Sequence, residues 1–215
     1  MIAKKILYWY DNNKRFLPWR NKFSVKQKEY FTLVSEFMLQ QTQVKTVIPY
    51  FNNFSKNIPN LQTLAKVNET KLLKYWQGLG YYSRARNLKK SAKMIIDNYK
   101  GRLPNSYEEL KKLPGVGDYT ASAILAIAFN EPIIPLDGNI ERVLKRILNL
   151  KTEKEVEKKN LHKKKIIFGQ TSRSGDYAQA LMEVGALLCK PKNPYCEKCP
   201  ITKNCLSFKK KDFEI

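Results

Sequence analysis

Four cysteines fall within seventeen residues near the end of the chain, Cys189, Cys196, Cys199 and Cys205, and the chain has no others. Their spacing is C-x6-C-x2-C-x5-C. Cysteines used for packing or for disulfides would be scattered, so this grouping points to a metal site built from thiolates. Four thiolates suit either zinc or a cubic iron–sulfur cluster. Zinc ribbons usually pair two short C-x2-C knuckles, but only Cys196 and Cys199 form one here. The first gap, Lys190-Pro-Lys-Asn-Pro-Tyr195, is a loop stiffened by Pro191 and Pro194. Ligands spread this way favour a bulky cube over one small ion, with zinc left as the alternative. A disulfide framework is disfavoured, because no signal peptide precedes the loop and 215 residues can bury a core without staples.

The formal net charge is +21, from 40 basic and 19 acidic residues. Such an excess favours a polyanionic partner, with nucleic acid the default. The competing reading is compositional: only eight of the basic residues are arginine, and Lys/Asn/Ile enrichment also follows from an AT-rich genome. The longest apolar stretch, Ala121 to Phe129, is too short to span a membrane. Met1-Ile-Ala-Lys-Lys5 lacks the apolar region of a secretory signal. These features predict a soluble, cytoplasmic, nucleoid-associated monomer.

Helical periodicity dominates, and no alternating strand run of useful length occurs. The pattern predicts helices over Ile2–Tyr10, Tyr30–Gln41, Val44–Phe54, Leu61–Ala65, Thr70–Gln77, Ser83–Tyr99, Ser106–Leu113 and Asp118–Phe129. Further helices are expected over Gly138–Leu148, Glu153–Phe168 and Tyr177–Leu188. The fold class is therefore all-α, without internal repeats. The charge run Lys151–Lys165 reads as a solvated helix face, and the lone histidine, His162, as a surface residue within it.

Leu113-Pro-Gly-Val-Gly117 joins two of these helices. Gly115 and Gly117 are expected to allow backbone angles that other residues resist and to leave no side chain in the way. The following helix starts at Asp118 with unpaired N–H groups and its positive dipole end forward, which suits a DNA phosphate. Helix, L-P-G-V-G, helix is the helix–hairpin–helix signature, spanning about residues 106–129. It binds backbone without reading sequence, so alone it could belong to a passive DNA-binding module.

Two acids suggest chemistry. Asp137, in Leu136-Asp-Gly-Asn-Ile140, precedes an apparent helix start and could simply cap it. Glu36 lies in Val34-Ser-Glu-Phe-Met-Leu-Gln-Gln-Thr-Gln43, a stretch without nearby basic residues. There it either faces water or is partly buried, where desolvation would raise its pKa. Two such carboxyls could divide the work of glycosidic bond cleavage, one protonating the leaving group and the other stabilising positive charge on the sugar.

The hairpin, Asp137 and the four cysteines together resemble the endonuclease III superfamily of DNA glycosylases. Within it, four strings look like the adenine DNA glycosylases of the MutY type. They are Met38-Leu-Gln-Gln-Thr-Gln-Val44, Val47-Ile-Pro-Tyr-Phe51, Gly78-Leu-Gly-Tyr-Tyr82 with Arg84-Ala-Arg-Asn-Leu88, and Leu136-Asp-Gly-Asn139. The resemblance runs from Leu7 to Cys205. It implies a [4Fe-4S] cluster on the four cysteines and two lobes with the active site in the cleft between them. One lobe, 20–134, would be a six-helix barrel carrying the hairpin. The other would join 1–19 to 135–215, with the cluster loop at 189–205.

By motif match, Glu36 would protonate adenine at N7, Asp137 would stabilise or bond to the sugar oxocarbenium, and Asn139 would orient the acid or water. Bifunctional relatives carry a lysine where Tyr119 stands, and an amine there would form a Schiff base with the sugar. Tyr119 thus implies a monofunctional hydrolase. The target base must leave the stack, and Gln41 and Tyr81 match the side chains that wedge into the duplex. Leu113, Gly115 and Gly117 would hold the phosphate, with a monovalent cation at the hairpin. Lys190, Lys192 and Lys198 would meet further phosphates. Trp19, Arg20 and Glu183 match base-pocket positions, although four extra residues lie between Arg20 and Glu36 relative to the family pattern.

The resemblance implies double-stranded DNA with mismatched or oxidised base pairs as partner, namely adenine opposite 8-oxoguanine or guanine. Relatives of this type usually continue into a second domain that recognises 8-oxoguanine, and the expectation is that this chain lacks it. Relatives that remove thymine from T:G pairs also carry tyrosine at the position of Tyr119, so a thymine glycosylase is the alternative reading.

Overall fold

The structure, a computed structural model, describes residues 2–150 and 171–213. The expected helix Glu153–Phe168, the charge run around it and His162 lie outside the described residues. Among the described residues there are helices and turns but no strand, as the periodicity predicts. None of these helices is long and apolar enough to cross a membrane. The chain divides into two compact units, one of Phe16–Phe129 and one of Met1–Arg15 with Asn130–Ile215.

The first unit is built round α2 (Val25–Leu39). Ser24 starts it with a capping box: its hydroxyl accepts from the Gln27 backbone N–H, and the Gln27 side chain accepts from the Ser24 N–H. The helix therefore begins five residues before the expected Tyr30. Every residue from Glu29 to Met38 is buried, because α2 is covered on several sides, by α3 (Val44–Asn57), α6 (Ser83–Tyr99) and α8 (Asp118–Phe129). A stretch buried all round, polar residues included, is that of a core helix. Pro49 lies inside α3 without ending it. The short helices α4 (Leu61–Lys66) and α5 (Glu69–Trp76) are capped by the Asn60 and Asn68 side chains, and α7 (Tyr107–Lys111) by Ser106. Phe31 and Phe51 meet edge-on at 5.5 Å, as do Phe54 and Trp76 at 6.0 Å.

The second unit packs α1 (Ile2–Asn13) and α9 (Gly138–Leu148) against α10 (Ser174–Glu183). Ile6, Tyr10, Ile140, Leu144, Tyr177 and Leu181 form its core. α1 runs three residues past the expected stop at Tyr10. The Asn12 and Asn13 side chains donate back to the Tyr8 and Trp9 carbonyls, both at 2.8 Å, and Asp11 is tied by Arg173. The last long helix starts at Ser174, not Tyr177, and loosens into a π turn over Val184–Leu188 before the cysteine loop. A short helix, α11 (Leu206–Lys209), follows Cys205 and packs on α9.

Candidate functional site

In the first unit, Glu36 stands on α2 and is only 5% exposed. It is not the only buried carboxylate there. Glu29 is equally enclosed but is taken up by Arg102, with Nε at 3.1 Å, and by the Leu103 N–H. That pairing gives Glu29 a structural role. Tyr119 is half-buried in the first turn of α8, the helix packed on α2.

The turn before α8 distinguishes its two glycines. Gly115 has φ of +83°, and a β-carbon there would lie 2.8 Å from the Phe37 ring and 3.0 Å from Asn87. Only glycine fits. Gly117 does not have a positive φ, and nothing lies within 4 Å of where its β-carbon would be. The expectation that both glycines relieve backbone strain is thus corrected: Gly117 leaves open space and nothing more. Leu113 is buried and its carbonyl accepts from the Val116 N–H at 3.0 Å. The turn is fixed from outside as well. Ser91 donates to the Pro114 carbonyl at 2.9 Å, and Gln40 donates to the Gly115 carbonyl at 3.1 Å.

Gln41 and Tyr81 both adopt left-handed backbone angles, φ 56° and 47°. Few non-glycine residues do so, and such strain gathers at functional sites. Both are exposed, Tyr81 by 61%. Trp19 packs edge-on to Phe51 at 5.3 Å, and Arg20 next to it is half-buried.

In the second unit, Asp137 is the cap that the sequence suggested. It is the N-cap of α9, its Oδ1 accepting from the Ile140 N–H at 2.7 Å. Its Oδ2 accepts from Asn139 Nδ2 at 3.0 Å. Asn139 in turn accepts from Arg142 Nη2 at 2.8 Å, and Arg142 donates to the Cys189 and Gly185 carbonyls at 2.7 and 2.8 Å. A chain of hydrogen bonds thus links the carboxylate to the first cysteine of the loop. Burial draws the Arg142 pKa down. Glu183 is fully buried and holds Arg15 in a bidentate pair at 2.8 Å on both bonds.

Arg15, Arg142 and Arg84 are the site residues that sequence reasoning missed. Arg84 stands in a quoted motif but was given no role. Most of their acceptors are main-chain carbonyls or a carboxylate 168 residues away, which leave no local signal; the exception is Asn139, three residues before Arg142.

Cys189, Cys196, Cys199 and Cys205 line one cavity, otherwise walled largely by apolar side chains such as Val143, Ile147, Val184 and Leu188. Burial pushes up the thiol pKa of Cys196, Cys199 and Cys205, Cys199 to about 11, with the neighbouring cysteine sulfurs adding to it. Thiols raised in this way ionise readily only when a cation shares their charge. Arg146, 3% exposed, donates to Cys189 Sγ at 3.6 Å and to the Pro191 carbonyl at 2.8 Å. Among the described residues, no three Cys, His, Asp or Glu side chains are grouped as around a single metal ion. Four thiols lining one cavity are a donor set suited to a metal centre. Lys190 lies over the Tyr195 ring at 4.5 Å. Lys192 and Lys198 are exposed, and Lys192 borders an open depression with Arg142, Lys145 and Arg146.

Comparison with known proteins places this geometry. Residues 34–165 match the HhH-GPD superfamily base excision DNA repair protein family. The chain belongs to that superfamily. It is 43% identical to an adenine DNA glycosylase of Buchnera aphidicola subsp. Baizongia pistaciae, over 97% of this chain and 58% of that protein. The human adenine DNA glycosylase is 40% identical over 93% of this chain and 38% of its own length. The chain thus spans roughly 40–60% of these relatives. Among solved structures, a thermostable thymine-DNA glycosylase superposes with a TM-score of 0.84 at 27% identity, covering 97% of this chain and 95% of that one. Endonuclease III trapped as a covalent intermediate on DNA superposes with a TM-score of 0.78 at 25% identity, covering 98% and 95%.

Proposed function

We propose that the protein is a monofunctional DNA glycosylase that hydrolyses the N-glycosidic bond of adenine mispaired with 8-oxoguanine or guanine. The observation that carries this reading is the 43% identity to an adenine DNA glycosylase over 97% of the chain. Glu36, enclosed on α2, donates a proton to N7 of the extruded adenine, so the base leaves neutral. The Asp137 side chain faces the positive charge that develops on the sugar. Its two oxygens are held by the Ile140 N–H and by Asn139, so it needs no rearrangement as that charge appears. Water adds to the sugar carbon and loses a proton, leaving an abasic site and free adenine. Tyr119 offers a phenol where a Schiff-base mechanism needs an amine, which keeps the strand intact.

Double-stranded DNA is held mainly by its phosphates. The open space at Gly117 admits a phosphate to the N-terminus of α8, and the Leu113 and Gly115 carbonyls are candidates for a bridging monovalent cation. Lys190, Lys192 and Lys198 add charge. Gln41 and Tyr81 enter the stack, while Trp19, Arg20 and Glu183 help to receive the base. The four cysteines would hold a [4Fe-4S] cluster, which supplies a rigid cross-link for the loop 189–205.

The thymine reading has one observation in its favour, the TM-score of 0.84 to a thymine-DNA glycosylase. A single-turnover panel on A:8-oxoG, A:G, A:C and T:G duplexes decides, with alkali revealing abasic sites. Removal of adenine opposite 8-oxoguanine or guanine supports the proposal. Cleavage of T:G with adenine pairs left intact transfers the protein to the thymine class.

A further inference from the structure

Arg84 is an unusual buried cation. It is 6% exposed, and burial lowers its pKa. Its hydrogen-bond partners among the described residues are all main-chain carbonyls. Nη1 donates to Phe37 at 3.2 Å and Met38 at 2.8 Å, and to Gln40. Nη2 donates to Leu79 and Gly80, both at 3.1 Å. The first three acceptors end α2 and lead into Gln41. The other two lead into Tyr81. The guanidinium also lies 5.4 Å from the Tyr81 ring and 5.6 Å from Trp76. Trp76 donates to the same Gly80 carbonyl at 3.2 Å. One planar fork therefore joins two turns about forty residues apart, each bearing an exposed residue with positive φ.

We propose that Arg84 is a positioning residue whose guanidinium clamps the turns of Gln41 and Tyr81 together, so that both side chains enter the duplex as one rigid wedge. The proposal rests on the reading of Gln41 and Tyr81 as the residues that open the stack. Its physical content lies in the shape of the cation. A guanidinium sends donors in two fixed directions and stacks on a ring, whereas an ammonium offers three donors from one point. Lysine could satisfy one turn, as a basic residue at a helix C-terminus does. It could not span both turns and hold Tyr81.

The test is Arg84→Lys, read with 2-aminopurine placed beside the target pair, whose fluorescence rises when the stack opens. Excision does not enter this readout. If the adenine assignment fails, the clamp is still tested on whichever duplex the wild-type protein opens. Melting and circular dichroism are expected to remain those of a folded helical protein, and affinity for undamaged duplex to stay within about threefold, because phosphate contacts are untouched. The fluorescence rise is expected to fall by about tenfold or more, with excision falling in parallel where it occurs. In a Gln41→Ala/Tyr81→Ala background, Arg84→Lys should add less than about threefold, since residues acting through one another are non-additive. An undiminished loss in that background, or an equal loss of undamaged-duplex binding, would overturn the clamp. Should Arg84→Lys not fold, wild-type NMR decides. Separate, slowly exchanging Nη1 and Nη2 signals that shift on mismatched duplex support the clamp, and a single averaged signal or no shift refutes it.

Discussion

Gly185 lies hard against Asn139. A β-carbon at 185 would sit 2.6 Å from the Asn139 β-carbon and 2.9 Å from its carbonyl oxygen. The π turn that carries Gly185 thus sets how deeply Asn139 sits beside Asp137. Arg142 closes the arrangement by donating to both the Gly185 carbonyl and the Asn139 side chain.

Gly185→Ala should therefore displace Asn139 and, through the 3.0 Å hydrogen bond, the Asp137 carboxylate. A misplacement on the order of 1 Å can cost about 10²-fold in rate. Single-turnover excision should fall by about that factor, while binding to undamaged duplex is retained. Full excision by Gly185→Ala would mean that Asn139 does not orient the carboxylate.

The two hairpin glycines should behave differently. Gly115→Ala forces a β-carbon into the Phe37 ring and leaves alanine at positive φ, a strain of about 1–3 kcal/mol. Its melting temperature should drop. Gly117→Ala meets no atom of the protein and should melt as wild type does, yet bind duplex more weakly by narrowing the approach to the N-terminus of α8. A stable Gly115→Ala, or a Gly117→Ala that binds normally, would contradict the respective assignment.

The same contrast shows what the sequence could reveal. Helices Ser83–Tyr99, Asp118–Phe129 and Gly138–Leu148 coincide with their expected bounds, because their apolar period is unbroken and Gly117 and the Asp137 cap mark the starts of the last two. The start of α2 was not legible: Val25-Lys-Gln-Lys-Glu29 looks polar, and only the Ser24/Gln27 capping box betrays it. Glu36, Asp137, Tyr119 and the cysteines stood out because each sits in a long motif. Arg84 and Arg142 did not, because a carbonyl acceptor can be contributed by any residue. Gly185 gave a faint signal, an isolated glycine within a helical pattern, which usually has a packing cause.

Purified aerobically, the protein should be yellow-brown, with broad absorbance near roughly 400 nm and about four irons per chain, as four thiolates imply. Cys199→Ser removes a sulfur from the apolar wall and should give colourless protein with a lower melting temperature. A colourless wild-type protein carrying one zinc would replace the cluster with the alternative centre.

The chemistry is tested by substitutions at Glu36, Asp137 and Tyr119. Glu36→Gln keeps the shape of a side chain that is 5% exposed but cannot donate the proton. Excision should fall by roughly the 10²–10⁴-fold that general acid catalysis contributes. Asp137→Asn retains an acceptor for the Ile140 N–H, so α9 stays capped, yet it removes the charge proposed to face the oxocarbenium. Its loss should be comparable, with duplex binding surviving in both variants. Tyr119→Lys places an amine in the first turn of α8. It should produce a trace of strand cleavage that borohydride traps as a covalent adduct, because the amine can attack the sugar carbon. Wild type should leave the abasic strand whole until alkali is added. Efficient nicking by the wild type, or normal adenine release by Glu36→Gln, would show that Glu36 is not the acid or that Tyr119 does not mark a monofunctional enzyme.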